Sequence, residues 1–215
     1  MKKGFLIILM AFFGSSLFAH EDWIDVNNYY PAVGDTITIY LSGGHHYPES
    51  ETLLAERLIY QPEIVTPAGR TESLKFTAEK NRWKTSYVIK KAGVYVAKFA
   101  LKKPQMDSPL FYGKALIIAG NKDQTASYTA NLPMEISPII SLSSIKPDET
   151  LKFHLQKNGE PKAGTVILMP SGGKNNYLST TENQPAQFTG VQPGKYLVYT
   201  EQSGTNCSVT FAIQK

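Results

Sequence analysis

Polar and apolar residues alternate with a period of two along most of this chain. In residues 36–41 the alternation puts three apolar side chains on one face, Ile37, Ile39 and Leu41. Residues 150–156 repeat the pattern with Leu151, Phe153 and Leu155. Because successive side chains of a β-strand point to opposite faces, this period predicts strands with one buried face.

Further strand patterns follow at short spacing and are separated by turns rich in Gly, Pro and Asn. They cover residues 57–65, 74–77, 83–89, 94–101, 116–119, 164–169, 196–199 and 207–213. Outside the N-terminal segment, no stretch long enough for a helix keeps a period of about 3.6. Short strands with frequent turns are typical of antiparallel sandwiches. The predicted fold class is therefore all-β, with two consecutive antiparallel β-sandwich domains.

A polar segment without strand alternation divides this pattern into two parts. We place the linker at residues 123–133. It follows an N-terminal β-sandwich over residues 20–122 and precedes a smaller C-terminal β-sandwich over residues 134–215. A domain of the smaller size is near the lower limit at which one core is independently stable.

Residues 1–19 have the pattern of a cleaved secretory signal peptide. Lys2 and Lys3 precede an uncharged apolar run, and small residues follow before Ala19. The run is too short to span a bilayer as a helix, which needs about 20 apolar residues. We therefore expect a secreted protein without a stable membrane anchor, cut after Ala19. A cut after Ser16 and a retained anchor are the alternatives.

Composition excludes several classes of protein. Cys207 is the single cysteine among 215 residues, so an intramolecular disulfide and a multi-cysteine metal site are impossible. The formal net charge is +4, and loss of the two signal lysines lowers it to +2. Without a Lys/Arg cluster, nothing indicates nucleic acid as a partner. No Ser-His-Asp spacing, nucleophile elbow or phosphate loop occurs, so we expect no enzyme and no catalytic residues.

Cleavage after Ala19 would make His20 the first residue of the mature chain. Its α-amino group and its imidazole Nδ1 could then chelate one metal ion together. Both nitrogens bind only when deprotonated, so metal affinity should rise with pH. Imidazole and amine ligands suit copper, nickel, cobalt and zinc better than magnesium or calcium.

A histidine pair, His45 and His46, follows two glycines and precedes Pro48. Adjacent side chains of an extended strand point to opposite faces, so at most one of the two would join His20 unless the segment is a loop. We favour His46 as the metal ligand and keep His45 in reserve. Four acids nearby could add oxygen ligands or orient an imidazole, although solvated surface is their commoner role. They are Glu21, Asp22, Glu49 and Glu51.

The C-terminal part resembles a known sandwich fold. The runs NGEPKAGTVILM at residues 158–169 and PGKY at residues 193–196 are similar to the transthyretin-like or carboxypeptidase-regulatory-like β-sandwich. This resemblance implies a fold and says almost nothing about chemistry.

Motifs along the whole mature sequence resemble a family of secreted bacterial proteins, the DUF4198 family, described as periplasmic components of cobalt or nickel uptake. They are Ala19-His20-x-x-Trp23, Pro31-x-x-Gly34-Asp35, Gly44-His45-His46-Tyr47-Pro48-Glu49, residues 111–117, Pro138 and Gly159-Glu160-Pro161. Tyr47 stands where we expect Phe. The resemblance implies a periplasmic location, metal handling and a membrane metal transporter as a partner.

The favoured function is that of a periplasmic protein that binds a transition-metal ion, Ni, Co or Cu, and assists its uptake or buffers it. His20, His46 and, in reserve, His45 are its expected metal ligands. One alternative is a non-catalytic interaction module whose histidines are incidental. Another is a copper monooxygenase that holds copper by an N-terminal histidine brace.

Overall fold

A computed structural model describes residues 21–120, 123, 128–200 and 205–214. The expected signal peptide, residues 1–19, and His20 lie outside the described residues. In the described part, the regular elements are sixteen β-strands and one short 3-10 helix, Glu56–Leu58. None of the helical structure in these ranges is long and apolar enough to cross a membrane.

The strands are short and follow one another closely along the chain. In chain order they are β1 Glu21–Val26, β2 Thr36–Gly44, β3 Ile59–Val65, β4 Thr71–Ser73, β5 Thr77–Glu79, β6 Arg82–Val88, β7 Gly93–Leu101, β8 Phe111–Ala119, β9 Met134–Pro138, β10 Leu151–Lys157, β11 Glu160–Pro161, β12 Gly164–Pro170, β13 Asn176–Thr180, β14 Ala186–Phe188, β15 Gly194–Thr200 and β16 Asn206–Ile213.

Three sheets organise these strands. The first has the order β1-β2-β6-β5, and the second, central sheet has the order β13-β12-β15-β16-β8-β7-β3-β4. In the third, β10 pairs with β9, β11 and β14. Strands β8 and β16 pair in parallel, whereas the other strand pairs in these sheets are antiparallel. The central sheet therefore contains strands from both halves of the chain.

Strands β7 and β8 lie between two hydrophobic cores. On β7, Tyr95 and Ala97 pack with the first sheet, whereas Val94 and Val96 pack with the third sheet. All nine residues of β8 are buried, and its side chains alternate between the same two cores. Burial on both faces explains the continuous apolar run at residues 116–119, because a strand covered on both sides needs no polar face.

The predicted fold class is confirmed, since the described structure is an all-β sandwich. The alternating pattern at residues 36–41 lies in β2, and that at residues 150–156 lies in β10 from Leu151 onwards; the apolar side chains of both are buried. Residues 74–76, which were expected to be strand, connect β4 to β5 instead. Strand β1 was not predicted. The domain boundaries at residues 20–122, 123–133 and 134–215 stay a prediction.

A buried ion pair connects the central sheet to the third sheet. Lys114 on β8 is 1% exposed, and its Nζ donates to three oxygens: Glu135 Oε1 at 2.5 Å, Tyr128 O at 2.6 Å and Ser137 Oγ at 2.8 Å. Burial lowers the pKa of Lys114, while the Glu135 carboxylate acts in the opposite direction. A buried charge needs hydrogen-bond partners to offset its loss of water, and these three acceptors are the partners of the ammonium group.

Replacement of Lys114 by Met should destabilise the protein strongly. The variant leaves the Glu135 carboxylate buried without its cation, and such a loss costs about 3–5 kcal/mol. Urea unfolding monitored by tryptophan fluorescence measures the change. As a control, Lys84→Met removes a partly exposed ion pair with Glu79 and should destabilise the protein much less. Equal effects of the two substitutions would contradict this assignment.

Candidate metal centre

The histidine pair lies on a tight turn at the end of β2. His46 O accepts a hydrogen bond from Glu49 N at 2.8 Å, which closes the turn, and the amides of Glu51 and Thr52 donate to Gly43 O at 2.9 and 3.0 Å. We call residues 45–51 the histidine turn. A Cβ on Gly44 would lie 3.1 Å from Glu51 N, so the close return of the chain favours glycine there.

Glu51 contacts both imidazoles of the histidine turn. His45 Nδ1 lies 2.9 Å from Glu51 Oε2, and His46 Nδ1 lies 2.7 Å from Glu51 Oε1. His46 is 83% exposed and His45 32% exposed, and Glu51 is 36% exposed. Hydrogen bonds lower the pKa of Glu51 to about 2, and the bond from His45 contributes more than the bond from His46. A carboxylate that remains ionised therefore lies between the two imidazoles over the whole physiological pH range.

The orientation of the imidazoles determines which nitrogen can act as a ligand. When Nδ1–H of a histidine donates to a carboxylate, Nε2 carries the lone pair that can bind a metal ion. The two rings lie 6.5 Å apart at their centroids, with an angle of 63° between their planes. The position of Glu51 relative to the two Nδ1 atoms is one that carboxylates commonly occupy behind metal-binding histidines.

Strand β1 begins beside the histidine turn. Glu21 pairs with Gly44 and Asp22 pairs with Gly43, so the first described residue lies across from the end of β2. Burial, helped by the charge of Glu21, raises the pKa of Asp22 to about 7. The carboxyl group of Asp22 is therefore partly shielded from solvent, which disfavours its charged form.

Tyr47 anchors the histidine turn in the body of the protein. Its side chain is 4% exposed and makes an edge-to-face contact with Trp23 of β1, with ring centroids 5.7 Å apart. Both rings belong to a small core that also contains Ile167, Met169, Leu197 and Tyr199 of β12 and β15. Burial raises the pKa of Tyr47 well above its ordinary value. The residue directly after His46 is thus fixed against the second half of the chain.

Two further contacts hold the segment that follows the turn. Ser50 Oγ donates to Asn81 O at 2.7 Å, in the turn between β5 and β6. Trp83 Nε1 donates to Leu54 O at 2.7 Å. Contacts of Tyr47, Ser50 and Leu54 therefore connect the histidine turn and the residues after it to three other parts of the chain.

The sequence-predicted ligands are brought together in part. His45 and His46 lie on a turn instead of an extended strand, and both imidazoles contact Glu51. His20 lies outside the described residues. Within the described ranges, no three His, Cys, Asp or Glu side chains form a group that could hold a metal ion. His154 is half-buried on β10, in the third sheet.

Sequence reasoning missed two features of this site. The sequence did not distinguish Glu51 from the three other nearby acids. Its contact with the histidines depends on the return of the chain to Gly43, where Glu51 N donates to Gly43 O. Tyr47 was noted for its departure from an expected Phe, and its anchoring role was not recognised. A cue was present, because aromatic side chains commonly pack in protein cores.

These features define an all-β sandwich protein that presents two histidines and a glutamate at the end of one strand. The chain belongs to the DUF4198 family, described as "Domain of unknown function (DUF4198)", whose family model matches residues 17–204. No curated protein matches the sequence.

Solved structures that are similar to this chain match it with low TM-scores and low sequence identity. A two-domain fibronectin type III segment of chicken tenascin is 11% identical, with 89% of this chain and 97% of that chain covered and a TM-score of 0.30. The D0-D1 domain of intimin is 17% identical, with 87% and 96% covered and a TM-score of 0.29. A DUF4785 family protein from Legionella pneumophila is 11% identical, with 89% and 47% covered and a TM-score of 0.32. Because these TM-scores are low, the fold is described from the strand pairing within this chain alone.

The carboxyl group of Glu51 should remain ionised in acid, down to about pH 3. Imidazole donors stabilise the ionised form, so the double variant His45→Ala/His46→Ala should raise its pKa towards the ordinary value of about 4.3. Carbon-13 NMR of the glutamate side chains measures both titrations. His154→Ala is the control and should leave Glu51 unchanged. An ordinary pKa of Glu51 in the parent protein would contradict the observed contacts.

Proposed function

We propose that the mature protein binds one transition-metal ion, Ni, Co or Cu, through the α-amino group and imidazole of His20 and the imidazole of His46. The contact of Glu51 with both imidazoles of the histidine turn carries this proposal. His45 remains the reserve ligand, since it contacts the same carboxylate.

Glu51 supports the proposal in two ways. Its carboxylate fixes the orientation of the imidazole through Nδ1, so Nε2 of His46 is presented as the ligand. Its negative charge also offsets part of the charge of a divalent cation. A carboxylate in this position increases the basicity of a ligating histidine, and its loss commonly weakens metal binding about 10–100-fold.

The register of β1 also supports the proposal. Glu21 lies across from Gly44, one residue before His45. Since His20 is bonded to Glu21, its Cα is about 3.8 Å from that of Glu21. A cut after Ala19 would make the residue bonded to Glu21 the new amino terminus, and Glu21 pairs with Gly44 directly before the histidine turn. The α-amino ligand exists only if a signal peptidase cuts after Ala19.

The ligand set defines the class of metal ion. Nitrogen donors from one amine and two imidazoles suit Cu(II) best and also accept Ni(II) and Co(II). The protein itself provides no catalytic group in this proposal. It acts in the periplasm by carrying the ion to a membrane metal transporter or by buffering it, in line with the resemblance to proteins of cobalt or nickel uptake.

Metal titration of the mature protein tests this function. Mass spectrometry of the secreted product should give His20 as its first residue, and isothermal titration should give one site per chain. A version with one extra N-terminal residue should lose at least about tenfold in affinity, because even an outer partner of a ligand contributes that much. His46→Ala and Glu51→Gln should weaken binding by a similar factor.

The control is His154→Ala, which removes a histidine of the third sheet and should leave affinity unchanged. Equal affinity of the mature and extended proteins would refute the role of the α-amino group. Unchanged affinity in both His46→Ala and His45→Ala would refute the role of the histidine turn.

A further inference from the structure

Side chains from the second half of the chain cover the free edge of β1. Strand β1 is the edge strand of the first sheet and pairs only with β2 within that sheet. Three donors bind alternate carbonyls of its outer edge: Ser208 Oγ to Asp22 O at 3.1 Å, Thr210 Oγ1 to Ile24 O at 2.5 Å and Lys195 Nζ to Val26 O at 2.9 Å. The donors belong to β15 and β16.

The spacing of these contacts follows from strand geometry. In an antiparallel pair, every second residue directs its backbone groups to the partner strand. Asn27 N donates to Thr38 O at 3.1 Å, so the odd-numbered residues at this end face β2 and the even-numbered carbonyls face away. On β16, Ser208 and Thr210 are two residues apart and so lie on one face. The two hydroxyls therefore have the same spacing as the outward-facing carbonyls of Asp22 and Ile24, to which they donate.

A charged contact extends this arrangement. Lys195 Nζ also lies 3.5 Å from Asp25 Oδ1, and Asp25 is 7% exposed. The same carboxylate oxygen accepts a hydrogen bond from Tyr29 Oη at 2.7 Å. The side chain of Asp25 therefore joins β1 to β15 on the face opposite to Ile24.

The histidine turn rests on the same part of the molecule. Tyr47 packs with Trp23 of β1 against Leu197 and Tyr199 of β15 and against Ile167 of β12. Strands β12, β15 and β16 are neighbours in the central sheet. One group of three strands therefore contacts both the start of β1 and the turn that carries His46.

We infer that Ser208, Thr210 and Lys195 are positioning residues for the metal site, an inference that rests on the proposed function. Pairing with β2 sets the register of the start of β1, and the second half of the chain holds both the outer edge of β1 and, through Tyr47, the histidine turn. The role of the second half is thus to hold in place the two segments from which the metal ligands come.

The test compares three threonine variants of the full mature protein. Thr210→Val removes the hydroxyl with little change of shape, and Thr210→Ser keeps it. Thr180→Val is the matched control, since Thr180 is 4% exposed and its hydroxyl donates to Gln184 O at 2.9 Å, on β13 at the edge of the central sheet. Amide hydrogen exchange of residues 21–26 and Cu(II) affinity are measured for each protein.

Thr210→Val should speed the exchange of β1 amides by about tenfold or more, because the Ile24 carbonyl is left buried without its donor. Its Cu(II) affinity should fall about 2–30-fold, because substitutions that do not touch a ligand commonly change binding by such factors. Thr210→Ser should match the parent protein in both measurements, and Thr180→Val should alter neither.

Unchanged exchange of β1 in Thr210→Val would overturn the inference, as would an equal loss of Cu(II) affinity in Thr180→Val. Failure of the proposed function is distinguishable, because the parent protein would then bind no Cu(II), Ni(II), Co(II) or Zn(II). In that case the exchange measurement still decides whether the second half holds β1.

Discussion

Burial of β8 on both faces is the constraint on which the remaining structure depends. The strand lies between two hydrophobic cores, and its parallel pairing with β16 joins the second half of the chain to the central sheet. The ammonium group of Lys114 on this strand needs acceptors within the protein, and Glu135 of β9 provides one. The third sheet is thereby fixed on the central sheet. Two halves that each resemble a sandwich thus share one sheet.

The candidate metal centre follows from this shared sheet. Because β16 lies next to β8, the hydroxyls of Ser208 and Thr210 reach the outer edge of β1. Tyr47 packs against the neighbouring strands β12 and β15, which holds the histidine turn. Glu51 then orients the imidazoles locally. Few of these contacts join residues close in sequence, so the geometry of the site is a property of the whole chain.

The sequence predicted the parts of the structure that local periodicity controls. Ile37 and Ile39 alternate with polar residues, and both are buried in β2. Strand β1 escaped prediction because Asp22 and Asp25 interrupt its apolar pattern on both faces. The side chains that donate to the outer carbonyls of β1 lie up to 186 residues away in the sequence. Contacts between such distant residues leave no local pattern in the sequence. The histidine pair was found from residue type alone, whereas its carboxylate partner depends on how the chain returns to Gly43.

The central claim is that the start of β1 and the histidine turn form one metal centre. Anomalous diffraction from a crystal of the mature, nickel-loaded protein tests it most directly. The account predicts one peak at which His46 Nε2 and the α-amino nitrogen of His20 both lie about 2.0–2.1 Å from the metal ion, the usual distance for nitrogen ligands. A peak away from the histidine turn, or a loaded protein in which the α-amino group is not a ligand, would contradict it.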